Sequence, residues 1–299
     1  MPQDGPPQPS GGDARAPREA FERLLGELRP KLHRYCARMT GSVIDGEDVV
    51  QDALIKALEA FDRQEIESPE AWLFRIAHNA ALDHLRRRAR QEALGMQEDI
   101  DMIADPVTPD RLAAAASLHS FMRLPVTQRS SVILMDVLGY SLEEIGDVTT
   151  QSIPAVKAAL NRGRTRLREI AQEGDDRPAP RLAAGERALL AAYVDRFNAR
   201  DFDAVRDMLS EEVRLDLVNR RKLQGREVAN YFSNYAHAAD WRFARGFIDR
   251  RPAILVYDPE NPVQPQYFIL LQWAQDQLAT IRDFRYARYA IEGAEVVVE

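Results

Sequence analysis

The sequence predicts a multidomain protein, two all-α units followed by an α+β unit, and three observations carry this. Apolar residues recur at helical spacing over residues 18–90 and again over 111–173. Between these stretches, residues 91–110 hold six acids, two prolines and no Lys or Arg, a composition change that marks a linker. Beyond residue 185, helical patterns give way to short runs in which apolar and polar residues alternate, as in half-buried strands. The length of 299 residues is that of two or three domains. The boundaries follow as a disordered tail over 1–17, a first helical unit over 18–92, an acidic linker over 93–110, a second helical unit over 111–173, a linker over 174–184 and the α+β unit over 185–299.

The elements follow in order. The tail carries prolines at 2, 6, 7, 9 and 17 and no apolar segment, so it reads as flexible and not as a secretory signal. Phe21, Leu24, Leu25 and Leu28 form the stripe of a first helix. Pro30 is expected to open a second, with Leu32, Tyr35, Cys36 and Met39 inward. After a turn over 41–46, a third helix carries Val50, Leu54, Ala57, Leu58 and Phe61. Ser68 is a candidate cap for a fourth, with Pro69 at its first position and Glu70 in its first turn. The second unit is helical with breaks at 124–125 and 139–140. In the third, strands are expected at 213–218, 253–257, 267–273 and 278–284 in a mainly antiparallel sheet. Val213, Leu215 and Leu217 should face inward, and Arg214 and Asp216 outward.

Composition excludes several classes. With 45% hydrophobic and 29% charged residues the chain reads as soluble and globular. No run of about 20 apolar residues is present, so no membrane span is expected. One cysteine, Cys36, makes no internal disulfide, and no Cys/His cluster has zinc spacing. Neither a metal nor a cofactor is expected, and the compartment is expected to be the cytoplasm. The net charge of −7 argues against a nucleic-acid partner when taken whole. By segment it does not: residues 75–90 carry +4 and residues 157–168 carry +5. Solvated helix ends would show the same runs.

Residues 141–168 sharpen the choice. Ser141 and Glu144 form a capping-box signature for a short helix over 142–148. A brief break follows, and Ser152 can cap a second helix with Pro154 in its first turn. Val156, Leu160, Gly163 and Leu167 fall on one face of it, with Pro154, Ala158, Asn161, Arg162 and Thr165 opposite. This is a helix-turn-helix pattern, although a plain helical hairpin shares part of it. Thr150 stands where the turn often carries glycine.

With these motifs in place, residues 18–173 resemble a bacterial sigma-70 family RNA polymerase sigma factor of the extracytoplasmic-function group. Residues 45–56 look like the polymerase-binding helix of region two, 72–87 like the promoter −10 helix, and 124–168 like region four, which reads the −35 element. The resemblance implies contact with the β′ clamp and β flap of core polymerase, the former through Asp45, Asp48, Gln51, Asp52 and Ile55. It assigns −10 DNA to Trp72, Arg75, His78, Asn79, Asp83, Arg86, Arg87 and Arg90, and a pocket for a flipped base to the loop 62–69. It assigns −35 DNA to Ser152, Pro154, Lys157, Ala158, Asn161, Arg162, Arg164 and Arg166. The acidic linker corresponds to the segment that threads the polymerase cleft in this family.

The remaining residues resemble the cone-shaped, SnoaL-like relatives of nuclear transport factor 2. The likeness lies in the Leu189, Tyr193, Phe197 helix, the 201–205 run and the 225–235 helix. In sigma factors that carry it, such a domain is regarded as a built-in regulator through contacts with the sigma domains. A separate anti-sigma protein and a small ligand also remain open as partners. Candidate cavity residues are Tyr193, Asp216, Tyr231, His237, Trp241, Tyr257, Trp273 and Asp283, though aromatics of this kind also build plain cores. No catalytic residue is assigned. The alternative reading is an enzyme or ligand sensor of the SnoaL or ketosteroid-isomerase type fused to a DNA-binding module. A buried Asp–His pair in a cavity would favour it.

Overall fold

The computed structural model describes residues 15–61, 63, 66–91, 111–173, 177–238 and 240–299. The acidic linker, most of the N-terminal tail and positions 62, 64 and 65 of the base-pocket loop lie outside the described residues. The first unit is built from α1 (Arg15–Thr40), α2 (Val43–Phe61) and α3 (Pro69–Gln91). Two expected helices are one: α1 runs through Pro30 without a break. An internal proline costs about 3 kcal/mol. Phe21 and Leu25 before it, and Leu32, Tyr35, Cys36 and Met39 after it, are all buried in the same core. Each such burial is worth roughly 1.5–3 kcal/mol, so packing outweighs the proline. α1 and α2 approach closely at Gly46, where a Cβ would lie 2.6 Å from the Ala37 backbone.

The second unit comprises α4 (Arg111–Ala115), α5 (Leu118–Met122), α6 (Val126–Val132), α7 (Leu142–Thr149) and α8 (Ile153–Glu173). A π-turn, Ile133–Val137, extends α6. The capping box forms as expected: Ser141 Oγ accepts from the Glu144 N–H, and the Glu144 carboxylate accepts from the Ser141 N–H at 2.8 Å. Thr150 takes the left-handed conformation, φ +57°, that ends α7 and re-aims the chain into α8. Val156, Leu160, Gly163 and Leu167 are buried as the spacing predicts. Both helical units share one core. Arg129 on α6 donates to the Met39 carbonyl of α1 at 2.6 Å and to the Leu124 carbonyl at 2.9 Å. Tyr140 donates to Glu70 of α3 at 2.6 Å.

In the third unit, α9 (Ala184–Asn198), α10 (Phe202–Arg206) and α11 (Ala229–His237) pack on one sheet. Its strands are β1 (Leu209–Leu217), β2 (Arg221–Gln224), β3 (Arg242–Ile248), β4 (Arg251–Tyr257), β5 (Tyr267–Ala274), β6 (Gln277–Asp283) and β7 (Val296–Val298). The order is β2-β1-β6-β5-β4-β3-β7, antiparallel except for the β1–β6 pair. Strands β2, β3 and β7 were not expected from the sequence. Alternation sorts β6 residues by face: Ile281 and Asp283 are buried, while Arg282 points to the opposite side beside Asp216. That opposite side meets the first unit. Ala37, Val43 and Ile44, with Leu118 of α5, belong to the same apolar cluster as the third unit's core.

Gly46→Val places a side chain against the α1 backbone. The expected outcome is a loss of about 1–3 kcal/mol, read as an earlier first transition in urea unfolding followed by circular dichroism.

Candidate functional site

Asp45, Asp48, Gln51, Asp52 and Ile55 fall on successive turns of α2, but their surroundings split in two. Towards the C-terminal end, Asp52 and Ile55 (48% exposed) line a groove with Asp83, Arg86, Arg87 and Arg90 of α3. Arg87 lies 3.7 Å from Asp52, so the groove joins residues expected to meet polymerase to residues expected to meet DNA. Towards the N-terminal end the same face is covered by the third unit. Arg251 of β4 grips both Asp45 oxygens, at 2.7 and 2.9 Å, and Asp45 is only 8% exposed. Arg282 of β6 grips both oxygens of Asp48.

Two further contacts fix this docking. The β3–β4 hairpin turns through Asp249 and Arg250, both at positive φ (+47° and +66°), as a two-residue type I′ turn requires. Asp249 Oδ2 accepts the Val43 N–H at 2.6 Å, so one unit caps a helix of another. Its Oδ1 accepts the Glu295 N–H at 3.0 Å, and burial raises its pKa in spite of these bonds. Glu47, fully buried, accepts from Arg29 and from the Tyr289 hydroxyl at 3.0 Å. Arg29 also donates to the Tyr289 oxygen at 2.7 Å. The sequence reading missed Asp249, Arg251, Arg282, Tyr289 and Glu47. Their one visible sign was the Arg250-Arg251 pair, a further basic spot with acids to meet.

On α3, Arg75, Asn79, Asp83, Arg86 and Arg90 form an exposed stripe, and Trp72 is half-buried against Phe21. His78 requires correction. It is buried and hydrogen-bonded through Nδ1 to the Tyr35 hydroxyl at 2.6 Å, because its position on α3 points at α1. On α8, Ser152, Pro154 and Lys157 are exposed, and Ala158, Asn161 and Arg162 are half-buried. Arg164 is a second correction: it is buried and forks onto Asp136 of the π-turn, at 2.9 Å from its Nε, as an internal tie. Arg166 is held by Glu169 and Glu173.

In the third unit, Asp283 accepts from the Tyr231 and Tyr235 hydroxyls, each at 2.8 Å, and burial raises its pKa. Tyr231, Tyr235 and Asp283 line a cavity of about 250 Å³ with Arg285 beside it. Tyr193 is buried nearby. Asp216 lies on the other face of the sheet, His237 is exposed on the Ser233 carbonyl, and Trp241 donates to the Tyr235 carbonyl. Tyr257 and Trp273 are partly buried at the edge of the core. Of the expected residues, Tyr231 and Asp283 thus meet in the cavity while Asp216 and His237 lie elsewhere, and Asp283 pairs with tyrosines, not with His237. Among the described residues no His/Cys/Asp/Glu group could hold a metal ion, and no helix is long and apolar enough to cross a membrane.

Comparison with known proteins finds relatives of both helical units. Residues 24–91 match the Sigma-70 region 2 family, and residues 118–167 match Sigma-70, region 4. The chain is 31% identical over 215 residues to the ECF RNA polymerase sigma factor SigG of Mycobacterium tuberculosis, covering 62% of this chain and 57% of that one. It thus spans somewhat over half the length of that relative. It is 30% identical over 167 residues to the ECF RNA polymerase sigma factor SigW of Bacillus subtilis, covering 50% of this chain and 88% of SigW. The crystal structure of the Mycobacterium tuberculosis extracytoplasmic function sigma factor SigJ aligns with 88% of this chain and 95% of its own, at 18% identity and a TM-score of 0.35.

Burial holds the His78 pKa down to about 4, against an ordinary value near 6.5. Below pH 6.5 the unfolded chain binds a proton that the folded chain does not, so stability is complete above that pH and is lost as pH falls towards 4. The loss is about 3 kcal/mol, and His78→Gln is expected to flatten it in unfolding curves recorded from pH 7 to 4.

Proposed function

The chain belongs to the ECF group of RNA polymerase sigma factors, and from that premise we propose that it directs core polymerase to specific promoters and that its third unit holds it in a closed, resting form. In the active form the α2 face meets arginines of the β′ clamp, and the second unit meets the β flap. The exposed stripe of α3 reads −10 DNA, and the N-terminal half of α8 reads −35 DNA. Such a subunit works in the cytoplasm.

One observation carries the closed-form reading. Asp45 and Asp48, assigned to polymerase by resemblance, are held by Arg251 and Arg282 of the chain's own third unit. With the third unit laid over Asp45 and Arg282 on Asp48, a polymerase surface cannot reach this part of the α2 face, so docking and polymerase binding compete for it. The shared core of the helical units points the same way. Elements named −10 and −35 lie about 25 base pairs, roughly 85 Å, apart at 3.4 Å per pair. α3 and α8 are each only about 30–35 Å long at 1.5 Å per residue. With the two helical units packed on one core, helices of this length do not reach both elements on straight DNA, so on this reading the units part.

The third unit supports a docking role better than a catalytic one. Asp283 is hydrogen-bonded by its own tyrosines and a backbone N–H, and the domain's histidine is elsewhere. That leaves no matched acid and base in the cavity.

Arg251→Glu with Arg282→Glu is expected to raise affinity for core polymerase at least several-fold, measured by fluorescence anisotropy of the labelled chain. Asp48→Arg with Asp52→Arg is expected to abolish binding and promoter-dependent transcripts. Unchanged affinity in the first variant would remove the closed-form reading, and full binding by the second would remove the α2 assignment.

A further inference from the structure

The three units enclose a cleft that none of them makes alone. It measures about 550 Å³ and lies where the α1–α2 turn, α5 and the β3–β4 turn meet. Basic side chains reach it from every side: Arg88 of α3, His119 of α5, Arg177 before α9, and Arg250 and Arg251 of the hairpin. Four arginines and a histidine thus face three lining acids, Asp45, Asp249 and Glu295, and the acids are matched within the cleft wall. Asp45 is held by Arg251, and Glu295 is shared by Arg177 at 2.9 Å and Arg250 at 3.7 Å. Asp249 accepts from two backbone N–H groups.

Arg38 stands behind the cleft wall. A Cβ on Gly293, which lines the cleft, would come within 3.8 Å of Arg38 Nη2. Arg38 is 8% exposed, and its Nε is buried without a hydrogen-bond partner. Burial and the neighbouring Arg34 draw its pKa down to about 10, and Glu292, the acid that acts on it, is paired with Arg34. A buried guanidinium in this state lacks a close anion.

We infer that the cleft binds a phosphate-bearing small molecule of about mononucleotide size, which clasps the three units in the closed form. Guanidinium forks match phosphate oxygens. Leu118, Met122 and Ala294 offer apolar wall to the organic part, and the volume falls in the range of small-molecule sites. The cleft exists only while the units are packed, so its ligand favours the closed form by mass action. The inference rests on the closed form being the resting one.

The test uses the full chain with inorganic phosphate and adenosine 5′-monophosphate as probes, against chloride at matched ionic strength. Saturable binding in calorimetry is expected for both. At about ten times its Kd, the nucleotide should raise the unfolding midpoint by ~2–4 °C and weaken core-polymerase binding about tenfold. Arg250→Gln and, separately, Arg177→Gln should weaken nucleotide binding several-fold. Arg282→Glu, outside the cleft, should weaken it several-fold by loosening the interface. No response beyond chloride, binding of phosphate with exclusion of the nucleotide, or unchanged binding in both cleft variants overturns the inference. If Arg282→Glu leaves both polymerase affinity and nucleotide binding unchanged, it is the closed-form premise that fails, and the clasp with it.

Discussion

A carboxylate shut away from water has to find its solvation in protein, and Glu47 on α2 finds part of it in another domain. Arg29 supplies the opposite charge from α1, and Tyr289 supplies a hydroxyl from the third unit while also accepting from Arg29. The first turns of α2 are organised around this need. Val43 offers a backbone N–H to Asp249, Asp45 takes Arg251, and Asp48 takes Arg282. The His33 ring sits edge-on to Tyr289, with burial keeping its pKa low. A single helix end therefore holds together two domains that the chain separates by some 200 residues.

The distribution of charge follows from the same arrangement. Of 40 basic residues only four are lysine, and the arginines do much of the internal joining. Arg129 satisfies three acceptors between helices, and Arg164 forks onto Asp136. These planar forks bridge fixed acceptors in ways a lysine point charge does not. The basic runs read from the sequence are accordingly less available than their sums imply: Arg87 faces Asp52, and Arg166 faces two glutamates. The acidic α2, in turn, is partly neutralised by arginines from the sheet.

Periodicity made the helical units legible, because a buried stripe repeats within a few residues whatever it packs against. The Ser141 capping box and the Val156 stripe needed no tertiary knowledge. Pro30 misled because the local rule against an internal proline lost to a core that only the assembled bundle reveals. Strand β2 is four residues on the sheet's edge, β7 is three, and β3 dilutes its alternation with Arg245 and Gly246, so none shows a clear period. His78 and Arg164 looked like surface residues because their partners, Tyr35 and Asp136, lie 43 and 28 residues away. The docking face was the least legible feature. It pairs side chains across more than 200 residues, and nothing local in a sequence encodes that.

The strength of that docking decides what it can do. Side-chain exposure is 50% at Asp48 and 47% at Arg251, so each ion pair is worth about 0–1 kcal/mol. The helix cap adds about 1 kcal/mol, and the small apolar seam adds more. As a free association this would be feeble. Through a short tether it becomes intramolecular, with an effective concentration in the millimolar range, and contacts of millimolar affinity are then enough to populate the closed form. Such a lock yields to a partner that binds the same helix face across a much larger surface, because that partner gains contacts the third unit does not offer. A tight, wholly apolar interface would instead hold α2 permanently. Ion pairs with one half-exposed partner each, Arg251 on Asp45 and Asp48 on Arg282, keep the face recoverable.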